Sequence, residues 1–339
     1  MRRRLIYWSL LLLLFLGVAA AFSSVFLPAA SSPRRTLVDV PPRSNLPEIA
    51  RLLQEKGVIR NHYAFQLMAR VLGESTNLKA GEYELSPHLS LIEIIDKLAR
   101  GDAVSHWVTI PEGYTLEQIA RTLAKQRMAE ERRFLKLARA GADVFDGPEW
   151  LPRGSLEGYL FPDTYRIKAG ASEKAILRAM LATFEEKVVK ELSHDLRQSP
   201  FSLEQVVILA SLIEREARVP EDRPLISAVL HNRLKDGMRL QVDATVLYAM
   251  GRHKSKVTYD DLKTPSRYNT YRHAGLPPGP ICNPGLSAIE AALRPAKKEY
   301  LFYVARPDGS HIFSRTYAEH QKATRVARAL SRTAAPATR

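Results

Sequence analysis

The sequence predicts an α+β protein carried behind one N-terminal membrane span. Three observations predict it: an uncharged run from Leu5 to Leu27, a strand–turn–amphipathic helix pattern that occurs twice, and a mid-chain segment apolar on nearly every helical face that ends in Glu214.

The first element follows Met1-Arg2-Arg3-Arg4. As a helix, the run Leu5 to Leu27 would extend about 34 Å at 1.5 Å per residue, enough to cross a bilayer. Small residues at Ala19-Ala20-Ala21 and Ala29-Ala30-Ser31 also suit a cleaved signal peptide, although signal cores usually hold only about 7–15 apolar residues. Read as an uncleaved anchor, residues 1–30 form a cytoplasmic N-terminus and span. Arg2, Arg3 and Arg4 outweigh Arg34 and Arg35, which orients everything from about Ser31 outward from the cytoplasm.

Residues 31–35 are small or basic and read as a tether. Val40-Pro41-Pro42 into Leu46–Leu53, and Ile110-Pro111-Glu112-Gly113 into Leu116–Leu123, are the two copies of the repeated pattern. Thr115 with Gln118, Ser90 with Glu93, and Ser202 with Gln205 stand at capping-box spacing and start three helices. Tyr83 and Leu85 alternate with acids as in a half-buried strand. Residues 36–103 thus read as a small module of strands and helices, followed by a larger α+β domain over 104–328.

Within that domain, Gly154 to Tyr165 mixes aromatic and turn residues too densely for a helix and is expected to be an ordered loop with exposed rings. The segment from Leu203 should be a buried helix that stops before Pro220. Tyr268 to Pro280 carries three prolines and two glycines, suiting a stiff groove wall. Arg306-Pro307-Asp308-Gly309 between apolar runs predicts a β-hairpin, and residues 329–339 read as a frayed basic tail.

A formal charge of +14 points to anionic lipid, cell-wall polymer or simple solubility. No helix-turn-helix, aromatic single-strand platform or zinc spacing accompanies it, so nucleic acid is not an expected partner and no metal or other cofactor is expected. The chain lacks a G-x-S-x-G elbow, a Walker loop, H-E-x-x-H and paired cysteines. Its one cysteine, Cys282, reads as a small core residue.

Glu214 is the acid to explain. A carboxyl at the end of an apolar helix either pairs with Arg218 one turn on, or is held protonated as a general acid. Ser211, Ala210 and Val207 on its own face would leave room for a substrate. Glu216 lies about 200° further round, so it cannot share one bond with Glu214, which would then work largely without a local carboxylate partner.

The strings Ala210-Ser211-Leu212-Ile213-Glu214-Arg215-Glu216, Leu156-Glu157-Gly158-Tyr159-Leu160-Phe161-Pro162-Asp163-Thr164-Tyr165, Tyr268-Asn269-Thr270-Tyr271 and Gly275 to Gly285 together resemble the endolytic murein transglycosylase family, also called YceG-like. The resemblance covers nearly the whole chain. It implies a LysM-like module over 36–103 and a catalytic domain that cuts nascent peptidoglycan between N-acetylmuramic acid and N-acetylglucosamine, ending strand elongation. It maps the catalytic acid onto Glu214, leaving 1,6-anhydro ends. It implies an enzyme anchored in the bacterial cytoplasmic (inner) membrane by one helix, with its domain on the periplasmic or extracytoplasmic side. Peptidoglycan synthases and division proteins are the candidate partners.

Gln241, Asp243, Asn269, Tyr271, Glu157 and Tyr159 lie in matching segments and suit sugar binding, although each could equally be structural. Val242, Ala244 and Cys282 depart from the family pattern without touching Glu214. A general acid needs a raised pKa, so Arg215 and Arg218 are expected to point away from it. The competing readings are a wall-binding or division scaffold without activity, and a muramidase that activates water with Asp243 or Glu157.

Overall fold

The computed structural model describes Trp8 and residues 35–41, 43–145, 147–251, 254 and 257–334, with 332–334 as backbone only. The expected span at 5–27 and most of the tether lie outside the described residues, among which no helix is long and apolar enough to cross a membrane. The architecture is mixed α+β, with small two-stranded sheets among many helices. The chain divides into two units, one comprising residues 1–108 and 166–172 and the other residues 109–165 and 173–339.

In the first unit, β1 (Thr36–Val40) pairs antiparallel with β2 (Gly81–Leu85), Val38 opposite Tyr83. Between them run α1 (Leu46–Glu55) and α2 (His62–Val71), and α3 (Leu91–Arg100) follows. The strands alternate as their sequence demands: Val38, Val40, Tyr83 and Leu85 face inward against Ile49, Leu53, Phe65, Ile94 and Leu98. Asn45 with Glu48 and Ser90 with Glu93 close capping boxes that satisfy the first N–H groups of α1 and α3. The chain leaves through β3 (Ser105–Thr109) and returns through β4 (Thr164–Lys168), which form the second sheet.

The second unit contains α4 (Leu116–Lys125), α5 (Glu131–Ala140), the short α6 (Ala142–Phe145) and α7 (Glu173–Phe184), which runs on as a wide turn over Glu185–Lys190. Then come α8 (Ser193–Gln198), α9 (Leu203–Glu216), α10 (Arg223–Lys235), α11 (Asp243–Met250) and α12 (Leu286–Leu293). The hairpin of β5 (Phe302–Ala305) and β6 (His311–Ser314) pairs Phe302 with Ser314, and α13 (Tyr317–Ala334) closes the chain.

Helix α9 is the axis of this unit. Ser202 and Gln205 cap it, and every residue from Val206 to Ile213 is buried, chiefly against α12 and α10. Truncating one of these, such as Leu209→Ala, costs about 2–5 kcal/mol.

Two expectations are corrected here. The loop Gly154–Tyr165 is irregular, but Tyr159, Phe161 and Tyr165 are buried rather than exposed, with Tyr159 packed on Phe184 at 5.2 Å between ring centres. Its backbone polar groups find partners inside the fold, so the rings can turn into the core. The expected tail from residue 329 is instead helical to Ala334, because Ala323 and Ala327 seat α13 as an amphipathic helix.

Candidate active site around Glu214

Helix α9 ends at Glu216, and the cap residue Ala217 turns into extended backbone, so Glu214 sits in the last turn with its carboxyl partly buried. Its Oε2 accepts the Gly285 N–H at 3.2 Å. From the other side comes the turn Pro111-Glu112-Gly113-Tyr114. Gly113 has φ +74°, and a methyl group there would lie 3.5 Å from Glu214 Cγ, so the turn backbone closes directly over the side chain.

Among the described residues, no basic side chain forms an ion pair with Glu214. Arg218 lies with its Cβ and Cδ against Gly309 of the hairpin turn. Arg215 is not remote, which qualifies the expectation that it points away: its Nη1 donates to Gly113 O at 3.4 Å. Burial raises the Glu214 pKa most; the Gly285 N–H lowers it, Glu112 raises it, and Arg223 and Arg215 lower it. The balance is upward, so Glu214 holds its proton at higher pH than an ordinary glutamate.

The small face of α9 does not hold open space for a substrate. Ser211 is fully buried; its Oγ donates to Ile208 O at 2.7 Å and accepts the Ile281 N–H at 3.1 Å. Small side chains there admit the 281–283 backbone, and Cys282 Sγ reaches Ser211 O at 3.4 Å. Cys282 is buried, and desolvation pushes its thiol far from reactivity.

The turn and the loop are tied together by Asn283, which is wholly buried. Its Oδ1 accepts the N–H groups of Gly158 and Leu160, and its Nδ2 donates to Tyr114 O and Glu157 Oε1. Gly113 N donates to Asn283 O, and Asn283 N to Tyr114 O, each at 2.8 Å. Glu112 and Asn283 escape sequence reasoning, because nothing local marks a residue whose partners lie more than a hundred positions away.

The other candidates sort into two groups. Glu157 is 3 % exposed and accepts from Leu116 N, Asn283 Nδ2 and Tyr248 Oη. Burial pushes its carboxyl up to about 8. Asn269 donates to Leu262 O and Thr264 O, and Tyr159 is packed in the core. Direct sugar contact by Glu157, Tyr159 and Asn269 is therefore corrected: all three are enclosed, with their polar atoms taken by the fold or their rings by the core.

By contrast, Gln241 and Asp243 are exposed and Tyr271 partly so, and Tyr271 Oη donates to Asp243 Oδ1 at 2.5 Å. Gln241 adopts φ +53°, held by Gln241 N to Thr270 O and Val242 N to Thr270 Oγ1. Arg233 Nη1 donates to Gln241 Oε1 at 3.4 Å, and Tyr303 Oη donates to Glu216 Oε2 at 3.0 Å. Burial raises Glu216 to about 7. Asp243, Tyr271, Glu216, Tyr303 and Arg233 thus form one connected polar cluster.

A cleft of about 400 Å³ is lined by Thr115, Arg121, Arg139, Arg215, Tyr248 and Ile281 among others, and Arg215 connects it to the Gly113 turn. Among the described residues, no group of three or more His, Cys, Asp or Glu side chains is placed to hold a metal ion.

The chain is similar to known proteins along most of its length. The model of the YceG-like family matches residues 38–326. A Bacillus subtilis protein named endolytic murein transglycosylase is 35 % identical over 91 % of this chain and 90 % of its own length. A Streptococcus pneumoniae protein of the same name is 31 % identical over 91 % of this chain, which spans 60 % of that longer relative. The crystal structure of a yceG-like protein from Listeria monocytogenes is 37 % identical, covers 86 % of this chain and 99 % of its own, and superposes with a TM-score of 0.59. With a family match across most of its length and relatives above 30 % identity, the chain belongs to the YceG-like family.

Proposed function

We propose that the protein is an endolytic lytic transglycosylase that cuts nascent peptidoglycan strands between N-acetylmuramic acid and N-acetylglucosamine, with Glu214 as the acid. The observation that carries this reading is the partly buried Glu214 carboxyl, raised in pKa and free of any ion pair among the described residues. The names of the relatives support the reaction class.

In the mechanism, protonated Glu214 donates to the glycosidic oxygen as the bond to the anomeric carbon breaks. The resulting carboxylate takes the proton of the muramoyl C6 hydroxyl as that oxygen closes onto the anomeric carbon. The product is a 1,6-anhydro end. Water is not a reactant, so no base is needed to activate one.

The muramidase alternative needs such a base. Glu157 suits it poorly, being enclosed, whereas Glu112 beside Glu214 keeps the alternative in play. Residues 5–27 serve in this reading as the single membrane anchor, holding residues 104–328 outside the cytoplasm as the catalytic domain. Residues 36–103 are a LysM-like module, a reading supported by the β–α–α–β order of β1, α1, α2 and β2.

The test is digestion of uncrosslinked glycan strands by wild type and Glu214→Gln, with folding checked by circular dichroism. Loss of cleavage in a folded Glu214→Gln is expected; a variant that cuts as well as wild type removes Glu214 from the mechanism, and a folded wild type that cuts no strand favours the scaffold reading.

A further inference from the structure

Glu112 stands where sequence reasoning expected no carboxylate. Its carboxyl lies so close over the Cα of Gly285 that a Cβ built there would collide with it, and the N–H of the same Gly285 binds Glu214. The next residue, Gly113, packs over Glu214 Cγ, and its N–H is clipped to Asn283 O, so the 112–114 turn is fixed relative to Glu214. Glu112 is therefore held at the site by backbone bonds and by the missing side chain of residue 285.

We propose that Glu112 is a positioning residue for the reaction assigned to Glu214: its carboxylate, seated on Gly285 beside Glu214, opposes a second negative charge and keeps the proton on the acid. This rests on the reading of Glu214 as the acid. The physical basis is the mutual repulsion of two carboxylates in one partly desolvated site.

The groups facing Glu214 are few. Arg215 comes from its own helix and Arg223 from α10, where Arg223 Nη2 lies 3.8 Å from Glu112 Oε2. The 282–285 loop contributes the Gly285 N–H and the Cys282 thiol. Glu112 opposes the two arginines, and Arg223 is shared between the two acids. The Glu112 side chain is 48 % exposed, so solvent and salt weaken its effect.

The experiment is the pH profile of glycan-strand cleavage by the full chain in detergent. It compares wild type, Glu112→Gln, Gly285→Ala and the double variant. Gly285 has an ordinary negative φ (−75°), so alanine is tolerated by the backbone there and acts by displacing the Glu112 carboxylate.

The high-pH limb reports Glu214 losing its proton, because a general acid works only while protonated. Each single variant is expected to move that limb down by about half to one pH unit, a loss of roughly three- to tenfold confined to its high-pH side. The double variant should move it no further than either single one, and raised salt should shrink the wild-type difference. Infrared titration of Glu214, read against Glu214→Gln, should give the same shift without catalysis.

Superimposable limbs, or a Glu112→Gln loss equal at every pH, overturn the proposal. The underlying reading fails separately: Glu214→Gln would then cleave like wild type, whereas failure of the Glu112 proposal alone leaves Glu214→Gln inactive.

Discussion

Asn283→Ala is the substitution through which the site's construction is best examined. The side chain is fully buried and makes four hydrogen bonds: from Gly158 N at 3.0 Å, from Leu160 N at 2.9 Å, to Tyr114 O at 2.9 Å and to Glu157 Oε1 at 3.0 Å. Alanine leaves two backbone N–H groups without their acceptor. Tyr114 O keeps the Asn283 N–H, and Glu157 keeps Leu116 N and Tyr248 Oη.

A stranded buried donor costs about 1–3 kcal/mol, and the two acceptors each lose a bond worth about 1 kcal/mol. Water entering the vacated space offsets part of this, which leaves about 3–5 kcal/mol. That is a large share of the ~5–15 kcal/mol that typically holds a protein folded. At about 2–4 °C per kcal/mol, the melting temperature falls by roughly 6–20 °C.

The assay is urea unfolding of the full chain in detergent, with the fall in midpoint read at unchanged slope. Cleavage should fall as well in whatever fraction stays folded, because the Gly158–Leu160 loop and Glu157 lose their side-chain tie to the segment that carries Gly285, although the backbone bonds of residue 283 to Gly113 and Tyr114 remain. A midpoint change worth less than about 1 kcal/mol refutes the view that Asn283 joins the three segments.

Further outcomes follow from the same geometry. Glu157 is raised from about 4.5 unfolded to about 8 folded, so its stabilising contribution is fully present below pH 4.5 and lost as pH rises toward 8. Glu157→Gln should therefore flatten the decline of stability across that window, measured by unfolding at several pH values; an unchanged slope contradicts its burial as a protonated acid. Gly113→Ala forces a positive φ on alanine and sets a methyl against Glu214, so a cost of about 1 kcal/mol in unfolding and a larger loss of cleavage are expected. Arg215→Ala removes a positive charge that favours ionised Glu214, so the high-pH limb of cleavage should move up; a downward shift would mean that Arg215 acts otherwise.

What the sequence made legible was local. The capping boxes at Ser90, Thr115 and Ser202 form because each needs only a hydroxyl and an acceptor three residues on, and the helices start where those pairs stand. The strand at Gly81–Leu85 and the hairpin around Pro307–Gly309 follow from alternation and turn chemistry. The all-round apolar surface of Val206–Ile213 marked a buried helix, and its end placed Glu214 at the edge of the core.

What stayed hidden depends on distant partners. Small residues before Glu214 read as room for a substrate, whereas the Ile281 backbone occupies that space. Polar residues in the Glu157–Tyr159 and Asn269 strings read equally as sugar contacts or as internal braces, and only their hydrogen bonds decide. The nearness of Glu112 to Glu214 arises from a turn that helical periodicity cannot see, whereas Glu216, close in sequence, lies on another face of the helix.

The most direct test of the central claim is the mass of the new ends released from uncrosslinked glycan strands, wild type beside Glu214→Gln. The account predicts 1,6-anhydro-muramoyl ends from the wild type and none from the variant. Reducing ends, one water heavier, would contradict it and make the enzyme a hydrolase.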